Sequence, residues 1–190
     1  EDVFSTYLYT GTGAAQTIEN GIALGDSNYG PSVEFNGTTD YLSRSSDLVG
    51  NADGKTFTFS CWAYFTDDGA VMIFENRPER FYFYYAPSST LQLAAANASG
   101  GSILNIYTSA VNAASLLNHW NNILISLDLT STAKRHFYIN DVAFPVTWST
   151  YTNSAIDFTG TGNFIGANLN GNNTAKGRWS NLFLDYTYRD

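Results

Sequence analysis

The chain has 190 residues, a formal net charge of −8 at pH 7 and an isoelectric point near 4.5. With only nine Lys and Arg in total, it lacks the clustered positive charge that nucleic acid or an anionic membrane requires, so neither is expected as a partner. Aromatic residues make up 16% of it, charged residues 14%, and there are 16 glycines. This composition favours one all-β domain of short strands joined by glycine turns and excludes a disordered chain.

The first thirty residues are predicted to form a β-hairpin packed on the main domain, which runs over residues 31–190. Residues 3–10 are rich in aromatic and β-branched side chains, as strands are. Asn20 and Gly21 then give the signal of a type I′ turn. Two roles stay open for this hairpin, since it either closes the edge of its own sheet or pairs with a neighbouring copy.

Short strands separated by turn residues continue through the middle of the chain. They are predicted over residues 33–35, 41–43, 56–65, 71–75, 81–85, 91–95 and 103–107. In the strand 56–65, alternate residues from Phe57 to Phe65 share a face that is predicted to be core. Cys61 lies on that face and is the only cysteine, so we expect no disulfide and a thiol that acts as a small buried apolar group. The one helix predicted is short, over residues 111–118.

Residues 119–144 are predicted to form a meander of three antiparallel strands at the centre of the fold. Ile123, Ile125 and Leu127 alternate with polar residues, which is the period of a strand with one buried face. After a polar break at residues 131–134 a second strand follows. Asn140 and Asp141 then stand where a tight hairpin needs residues that tolerate positive φ.

The last third of the chain gives weaker signals. Residues 145–157 are predicted to be irregular, 163–166 to be a brief strand, and 168–173 to be a polar loop. A terminal strand is expected over residues 178–188, with Leu182, Leu184 and Tyr186 facing opposite to Trp179 and Phe183. About a dozen strands without a fixed repeat favour a two-sheet antiparallel jelly-roll sandwich.

Five segments, in this order and spacing, resemble the laminin G-like, concanavalin A-like family. They are FNGTTDYLS (35–43), TFTFSCWAYF (56–65), HWNNILISLD (119–128), FYIND (137–141) and GRWSNL (177–182). The resemblance implies a jelly roll of two antiparallel sheets, with Trp120 in the core. The chain departs from the family pattern at Ser180 and Asn181, where relatives carry an acidic residue, and so a calcium ion that depends on that carboxylate is not implied.

Two shorter stretches are similar to structural proteins of marine tailed phages, namely residues 2–25 and the closing residues 182–190. This similarity implies a non-enzymatic structural or adhesion module on the virion surface, as a capsid decoration or a tail-fibre component. Its partners would be other virion proteins, copies of itself and host-surface glycans. The alternative is a free-standing, secreted, extracellular lectin-like domain.

An enzyme is the third possibility, because glucanases and polysaccharide lyases share this fold. A retaining glucanase needs two carboxylates about 5 Å apart, and Glu75 and Glu79 are the closest pair of glutamates. Pro78 is expected to place both on a solvated loop. His119 and His136 have no catalytic setting and are interpreted as structural or exposed residues. No catalytic residues are therefore predicted.

Sugar rings stack on exposed aromatic faces, and Trp148, Tyr151 and Trp179 are the candidate carbohydrate-binding residues. For Trp179, packing in the core is the favoured alternative. Calcium is the one cofactor considered, with Asp40, Asp67 and Asp68 as candidate ligands, although a solvated loop is favoured at each place. The abundance of aromatic residues and the absence of a disulfide lead us to expect homo-oligomers or copies arrayed on a lattice.

Overall fold

The structure is a computed structural model that describes residues 32–44, 52–66, 69–77, 81–86, 90–108, 113–168 and 170–190. The predicted N-terminal hairpin, Asp67 and Asp68 lie outside the described residues. Within them, thirteen strands and one short helix are present. No helix of this described part is both long and apolar enough to span a membrane.

Two antiparallel sheets pack face to face, as predicted. The first contains β1 (Val33–Asn36), β3 (Thr56–Phe65), β8 (Trp120–Asp128), β9 (Arg135–Ile139), β10 (Val142–Ala143) and β13 (Lys176–Asp185), in the spatial order β1-β13-β3-β8-β9-β10. The second contains β2 (Leu42–Arg44), β4 (Val71–Arg77), β5 (Phe81–Ala86), β6 (Thr90–Ala96), β7 (Ser102–Thr108), β11 (Val146–Tyr151) and β12 (Gly162–Ile165), in the order β11-β7-β6-β5-β4-β12-β2. The helix α1 (Ala113–Leu116) falls inside the predicted one but is shorter.

Aromatic side chains from the two sheets interlock to form the core. Phe57 meets Phe81 with 5.0 Å between ring centroids, and Phe59 meets Phe83 at 5.4 Å. Edge-to-face pairs of this kind each contribute about 0.5–1.5 kcal/mol beyond their buried area. The predicted inner face of β3 is confirmed, since all five of its residues are fully buried. Burial also raises the pKa of the Cys61 thiol, which keeps it protonated and unreactive.

The central meander is confirmed as well. Strands β8, β9 and β10 are consecutive in the first sheet, and Asn140 and Asp141 adopt φ values of 51° and 62°. Two successive positive φ values are those of a type I′ turn and agree with the tight hairpin that the sequence predicted here. The Asn140 amide donates to the carbonyl of Asn122 on β8 at 2.9 Å, which extends the pairing of β9 with β8 up to the turn.

The prediction that residues 145–157 are irregular is wrong over its first half. Residues Val146–Tyr151 form β11, which pairs with β7 at the edge of the second sheet. A register shift between Trp148 and Thr150 interrupts the two-residue alternation. This β-bulge hides the strand from a search for periodicity.

A second bulge overturns the predicted facing of the terminal strand. The pairing with β3 shifts between Ser180 and Phe183, where Asn181 has φ 50°. The extra residue returns Leu184 to the inner face, so that Trp179 and Leu184 are both buried in the core. An unbroken alternation would have placed them on opposite faces.

Two further residues lie elsewhere than predicted. Trp120 is only half-buried, with its ring 5.7 Å from that of Tyr64 on the outer face of the first sheet, and is therefore not a core residue. Glu75 is 2% exposed and belongs to β4 rather than to a loop. Its neighbour in the predicted pair, Glu79, is outside the described residues.

Candidate functional site: the tyrosine–amide face

The outer surface of the second sheet carries a compact set of tyrosine and amide side chains. Across β5, β6 and β7, the register aligns Tyr84 with Gln92 and Gln92 with Tyr107. The next row aligns Tyr82 with Ala94 and Ala94 with Asn105. Neighbouring strands are about 4.8 Å apart, so each row extends for about 10 Å. We call these six residues the tyrosine–amide face: Tyr82, Tyr84, Gln92, Ala94, Asn105 and Tyr107.

Strand alternation explains why these residues face outward. On β5, the inner positions Phe81, Phe83 and Tyr85 are fully buried. The tyrosines between them, Tyr82 and Tyr84, are therefore turned to the other side, where they are half-exposed.

A hydrogen-bonded relay connects three of these side chains across the strands. The Tyr84 hydroxyl donates to Gln92 Oε1 at 2.7 Å, and Gln92 Nε2 donates to Asn105 Oδ1 at 3.0 Å. The rings of Tyr82 and Tyr84 lie 5.8 Å apart and are tilted by 46°. Because each amide is fixed by its neighbour, little side-chain entropy remains to be lost on binding.

The shape and polarity of this face suit a neutral polar ligand. None of its six side chains carries a charge, and Tyr107 is 40% exposed. Ala94 is the smallest residue in its row and leaves a low floor between Tyr82 and Asn105. Aromatic rings beside fixed amides offer both stacking and hydrogen bonding, the combination that sugar-binding sites use.

The structure brings Trp148 and Tyr151 together, but not on this face. Their rings pack edge to face at 5.6 Å, and the Arg135 guanidinium lies 4.9 Å from the Trp148 ring and 5.5 Å from the Tyr151 ring. The Tyr151 hydroxyl also donates to the carbonyl of Asp128 at 2.8 Å. Burial raises the pKa of Tyr151. Both aromatic residues are partly buried against the core and close one side of the sandwich.

Trp179, the third predicted sugar-binding residue, is buried. Its side chain is 3% exposed, and its ring meets those of Phe35 and Phe65 at 5.4 Å each. Its ring has no exposed face on which a sugar could stack. Trp179 is therefore a core residue, which is the alternative that the sequence favoured.

Asp40 has a structural partner in the turn that follows β1. Its Oδ2 accepts from the Asn36 amide at 3.2 Å, while Asn36 Oδ1 accepts from the amides of Thr38 and Thr39. A cavity of about 300 Å³ nearby is lined partly by Lys176. Among the residues that the structure describes, no group of three or more His, Cys, Asp or Glu side chains could hold a metal ion.

A shallow groove of about 410 Å³ lies on the outer face of the first sheet, and His136, Tyr138 and Asp141 are among its lining residues. The His136 ring is stacked near those of Tyr138 and Tyr188, at 6.0 and 5.7 Å. His119 is exposed, with Nδ1 2.9 Å from the Leu117 carbonyl oxygen. The His136 Nε2 atom also lies 2.8 Å from the Tyr188 hydroxyl oxygen and 3.6 Å from Asp190 Oδ1, and these contacts connect β9 to the C-terminal residues.

The sequence did contain a signal for the tyrosine–amide face. The run Phe81–Tyr85 alternates phenylalanine with tyrosine, although aromatic residues on both faces are also typical of a strand buried at the centre of a sheet. Tyr82 and Tyr84 carry hydroxyl groups, which need partners or water, and so indicate the exposed side. The amides of Gln92 and Asn105 gave no signal, because their proximity depends on the register between strands.

Comparisons with known proteins agree with this architecture. Residues 35–182 match the laminin G family model described as Concanavalin A-like lectin/glucanases superfamily. No curated protein sequence matches the chain. Among solved structures, a native heptameric SAP-like pentraxin from Limulus polyphemus is similar with a TM-score of 0.59 and 15% identity, over 84% of this chain and 77% of the pentraxin chain.

Two other solved structures are similar at lower coverage of their own chains. The binding domain of botulinum neurotoxin serotype G has a TM-score of 0.63 and 12% identity, over 98% of this chain and 45% of its own. Domains LG4-5 of the mouse laminin alpha1 chain have a TM-score of 0.57 and 11% identity, over 81% and 40%. The chain thus spans less than half the length of these two relatives, and the structural likeness shows the fold alone. Together with the family match over residues 35–182, it establishes that the chain belongs to the Concanavalin A-like lectin/glucanases superfamily.

Proposed function

We propose that this protein is a non-enzymatic carbohydrate-binding module whose ligand rests on the tyrosine–amide face. One observation carries the proposal: the relay from Tyr84 through Gln92 to Asn105 fixes two amides beside half-exposed tyrosine rings. Membership of a superfamily that includes lectins supports it.

Binding is favoured over catalysis by the position of the acidic residues. The superfamily also includes glucanases, and these need a pair of carboxylates that reach the sugar. Glu75, the candidate nearest this face, is 2% exposed. A buried carboxylate in the middle of a sheet is poorly placed to act on a glycosidic bond.

The proposal includes an adhesive role on a surface. The similarity of residues 2–25 to phage structural proteins favours a virion surface, as a capsid decoration or tail-fibre component that contacts host glycans. The alternative is an extracellular lectin that works without a particle. Co-sedimentation with purified particles separates the two, because an extracellular lectin would stay in the supernatant.

Affinity electrophoresis against a panel of neutral polysaccharides tests glycan binding. We expect retarded migration for the unmodified chain and at least a tenfold loss of affinity for Tyr84→Ala, which removes a stacking ring and the first donor of the relay. Tyr138→Ala, on the outer face of the opposite sheet, is the matched control and should bind normally. Equal losses for both variants, or no binding to any glycan, would contradict the proposal, as would newly released reducing ends.

Calcium binding stays a prediction. Asp40 alone supplies one carboxylate, and Ca²⁺ takes six to eight oxygen ligands, so a site there would depend on Asp67 and Asp68. If calcium is bound, EDTA should lower the melting temperature of the unmodified chain but not that of Asp40→Asn. Identical melting curves with and without EDTA would reject the site.

A further inference from the structure

The relay on the tyrosine–amide face has a direction, and that direction decides which ligand groups it can bind. Gln92 Oε1 accepts from Tyr84, and Asn105 Oδ1 accepts from Gln92. Each amide oxygen thus already accepts one hydrogen bond inside the relay, whereas three of the four amide N–H groups of Gln92 and Asn105 donate to nothing within it, because an amide nitrogen carries two hydrogens. The relay therefore leaves mainly N–H donors for a ligand.

Asn105 is the outward end of this relay. Its Nδ2 has no hydrogen-bond partner among the residues that the structure describes. The hydrogen bond from Gln92 reaches the other side-chain atom, Asn105 Oδ1. Asn105 is half-exposed, so its two N–H groups are available to a ligand. The face therefore favours a ligand with an acceptor oxygen at this point.

The acceptor is expected to be neutral. A carboxylate or sulfate group is normally met by Arg or Lys, and none of the six residues of the face is basic. The net charge of −8 further disfavours an anionic polymer. A carbonyl oxygen meets both conditions.

Next to this donor the face is apolar. Ala94 is the cross-strand neighbour of both Tyr82 and Asn105. The residue is 8% exposed, and its methyl group lies on the outer side of the sheet between them. A small apolar group that sits on Ala94 would cover it and contact the Tyr82 ring. A ligand in which a carbonyl and a methyl group are adjacent satisfies both the donor and the floor.

We propose that the face recognises N-acetylated amino sugars, with the acetamido oxygen accepting from Asn105 Nδ2 and the acetamido methyl group resting on Ala94. The sugar ring then lies against the tyrosines. This inference rests on the proposed function and narrows it from glycans in general to those that carry an acetamido group.

Isothermal titration calorimetry with chitohexaose and cellohexaose tests the inference, because the two oligosaccharides differ only in the acetamido or hydroxyl group at carbon 2. We expect chitohexaose to bind at least tenfold more tightly. Asn105→Asp keeps an oxygen to accept from Gln92 and replaces the outward donor by an acceptor, so it should abolish that preference. Asn172→Asp adds the same charge in an exposed loop and is the control, which should retain the preference.

The possible outcomes separate the two proposals. Equal affinities for the two oligosaccharides, or a preference that survives in Asn105→Asp, would overturn the acetamido inference and leave glycan binding intact. Absence of binding to every glycan would overturn both. Ala94→Leu gives a second test that keeps all polar groups. It should lower the affinity for chitohexaose at least tenfold, because the larger side chain occupies the space of the acetamido methyl group. Unchanged affinity would overturn the inference. If a variant fails to fold, the comparison of the two sugars on the unmodified chain decides alone.

Discussion

The pairing of β13 with β3 depends on one residue, Gly177, whose backbone conformation is unfavourable for residues that have a side chain. Gly177 begins the pairing of β13 with β3, opposite Phe65, at a φ of +150°. A Cβ built there would lie 2.0 Å from the Tyr64 carbonyl oxygen. The backbones of β3 and β13 therefore approach closely only because this position lacks a side chain.

Gly177→Ala should lower the free energy of unfolding by more than about 2 kcal/mol, since it combines backbone strain with a steric clash. Urea denaturation measures the loss. Gly171→Ala is the control, because φ is +69° there but nothing lies within 4 Å of the added Cβ, and it should cost only about 1 kcal/mol. Similar losses for the two variants would show that the clash does not matter.

Tyr188 is a residue whose titration the structure predicts. Partial burial and the Asp190 carboxylate, which accepts from its hydroxyl at 2.8 Å, raise the pKa of Tyr188 to about 12. An unfolded tyrosine titrates near pH 10. The protonated phenol therefore stabilises the folded state at pH values below about 10, and this contribution is lost as the pH rises through about 12.

Ultraviolet difference titration of the unmodified chain should contain a component that ionises near pH 12 and is missing in Tyr188→Phe. Asp190→Asn should lower the pKa of Tyr188 part of the way toward 10, because it removes the charge and leaves the burial. A titration curve that is the same for the unmodified chain and Tyr188→Phe would contradict the assignment.

At the scale of the strands, the sequence predicted most of what alternation and turn chemistry determine. The inner face of β3, the meander β8 to β10 and the positive φ values of Asn140 and Asp141 all follow from local patterns. The missed strand β11 and the wrong facing of β13 have one physical cause, because β11 and the second half of β13 each contain a bulge. A bulge inverts the inward and outward positions after it, which is why Leu184 was placed on the wrong face.

The candidate site was missed for a different reason. Trp148 and Tyr151 were chosen because large aromatic residues in an irregular segment suggest exposure, but the segment is a strand and they face inward. The tyrosine–amide face combines residues from three strands, and only the register between those strands places Asn105 beside Gln92. A register fixed by tertiary packing cannot be read from one sequence.

Strand β11 is tied to the opposite sheet by Arg135. This guanidinium lies within 5.5 Å of the ring centroids of Trp148 and Tyr151, and each such contact contributes about 0.5–1 kcal/mol. Arg135→Ala should therefore lower the free energy of unfolding by about 1–2 kcal/mol. A double-mutant cycle with Trp148→Leu measures the coupling, and purely additive losses would contradict it. Glycan affinity should not change in either variant, because neither residue belongs to the tyrosine–amide face.

On the scale of the whole molecule, net charge and exposed apolar surface have opposite effects on the association of copies of the chain. The net charge of −8 makes copies repel, whereas strands β10 and β11 end their sheets with edges that are not paired to another strand of the described residues. Val142 on β10 is 65% exposed. Exposed edges and apolar side chains favour association when repulsion is screened.

We therefore expect association that depends on salt, with either the N-terminal thirty residues or the sheet edges making the contact. Light scattering should show a larger mean mass at 0.5 M than at 0.02 M NaCl, because the Debye length falls from about 20 Å to about 4 Å. A chain that starts at Gly30 should remain a monomer at both concentrations if the N-terminal hairpin forms the contact. If that shorter chain associates as strongly as the intact one, the sheet edges make the contact without it. If the shorter chain does not fold, the hairpin closes the sandwich of its own chain. An intact chain that is monomeric at both salt concentrations would contradict the prediction of assembly.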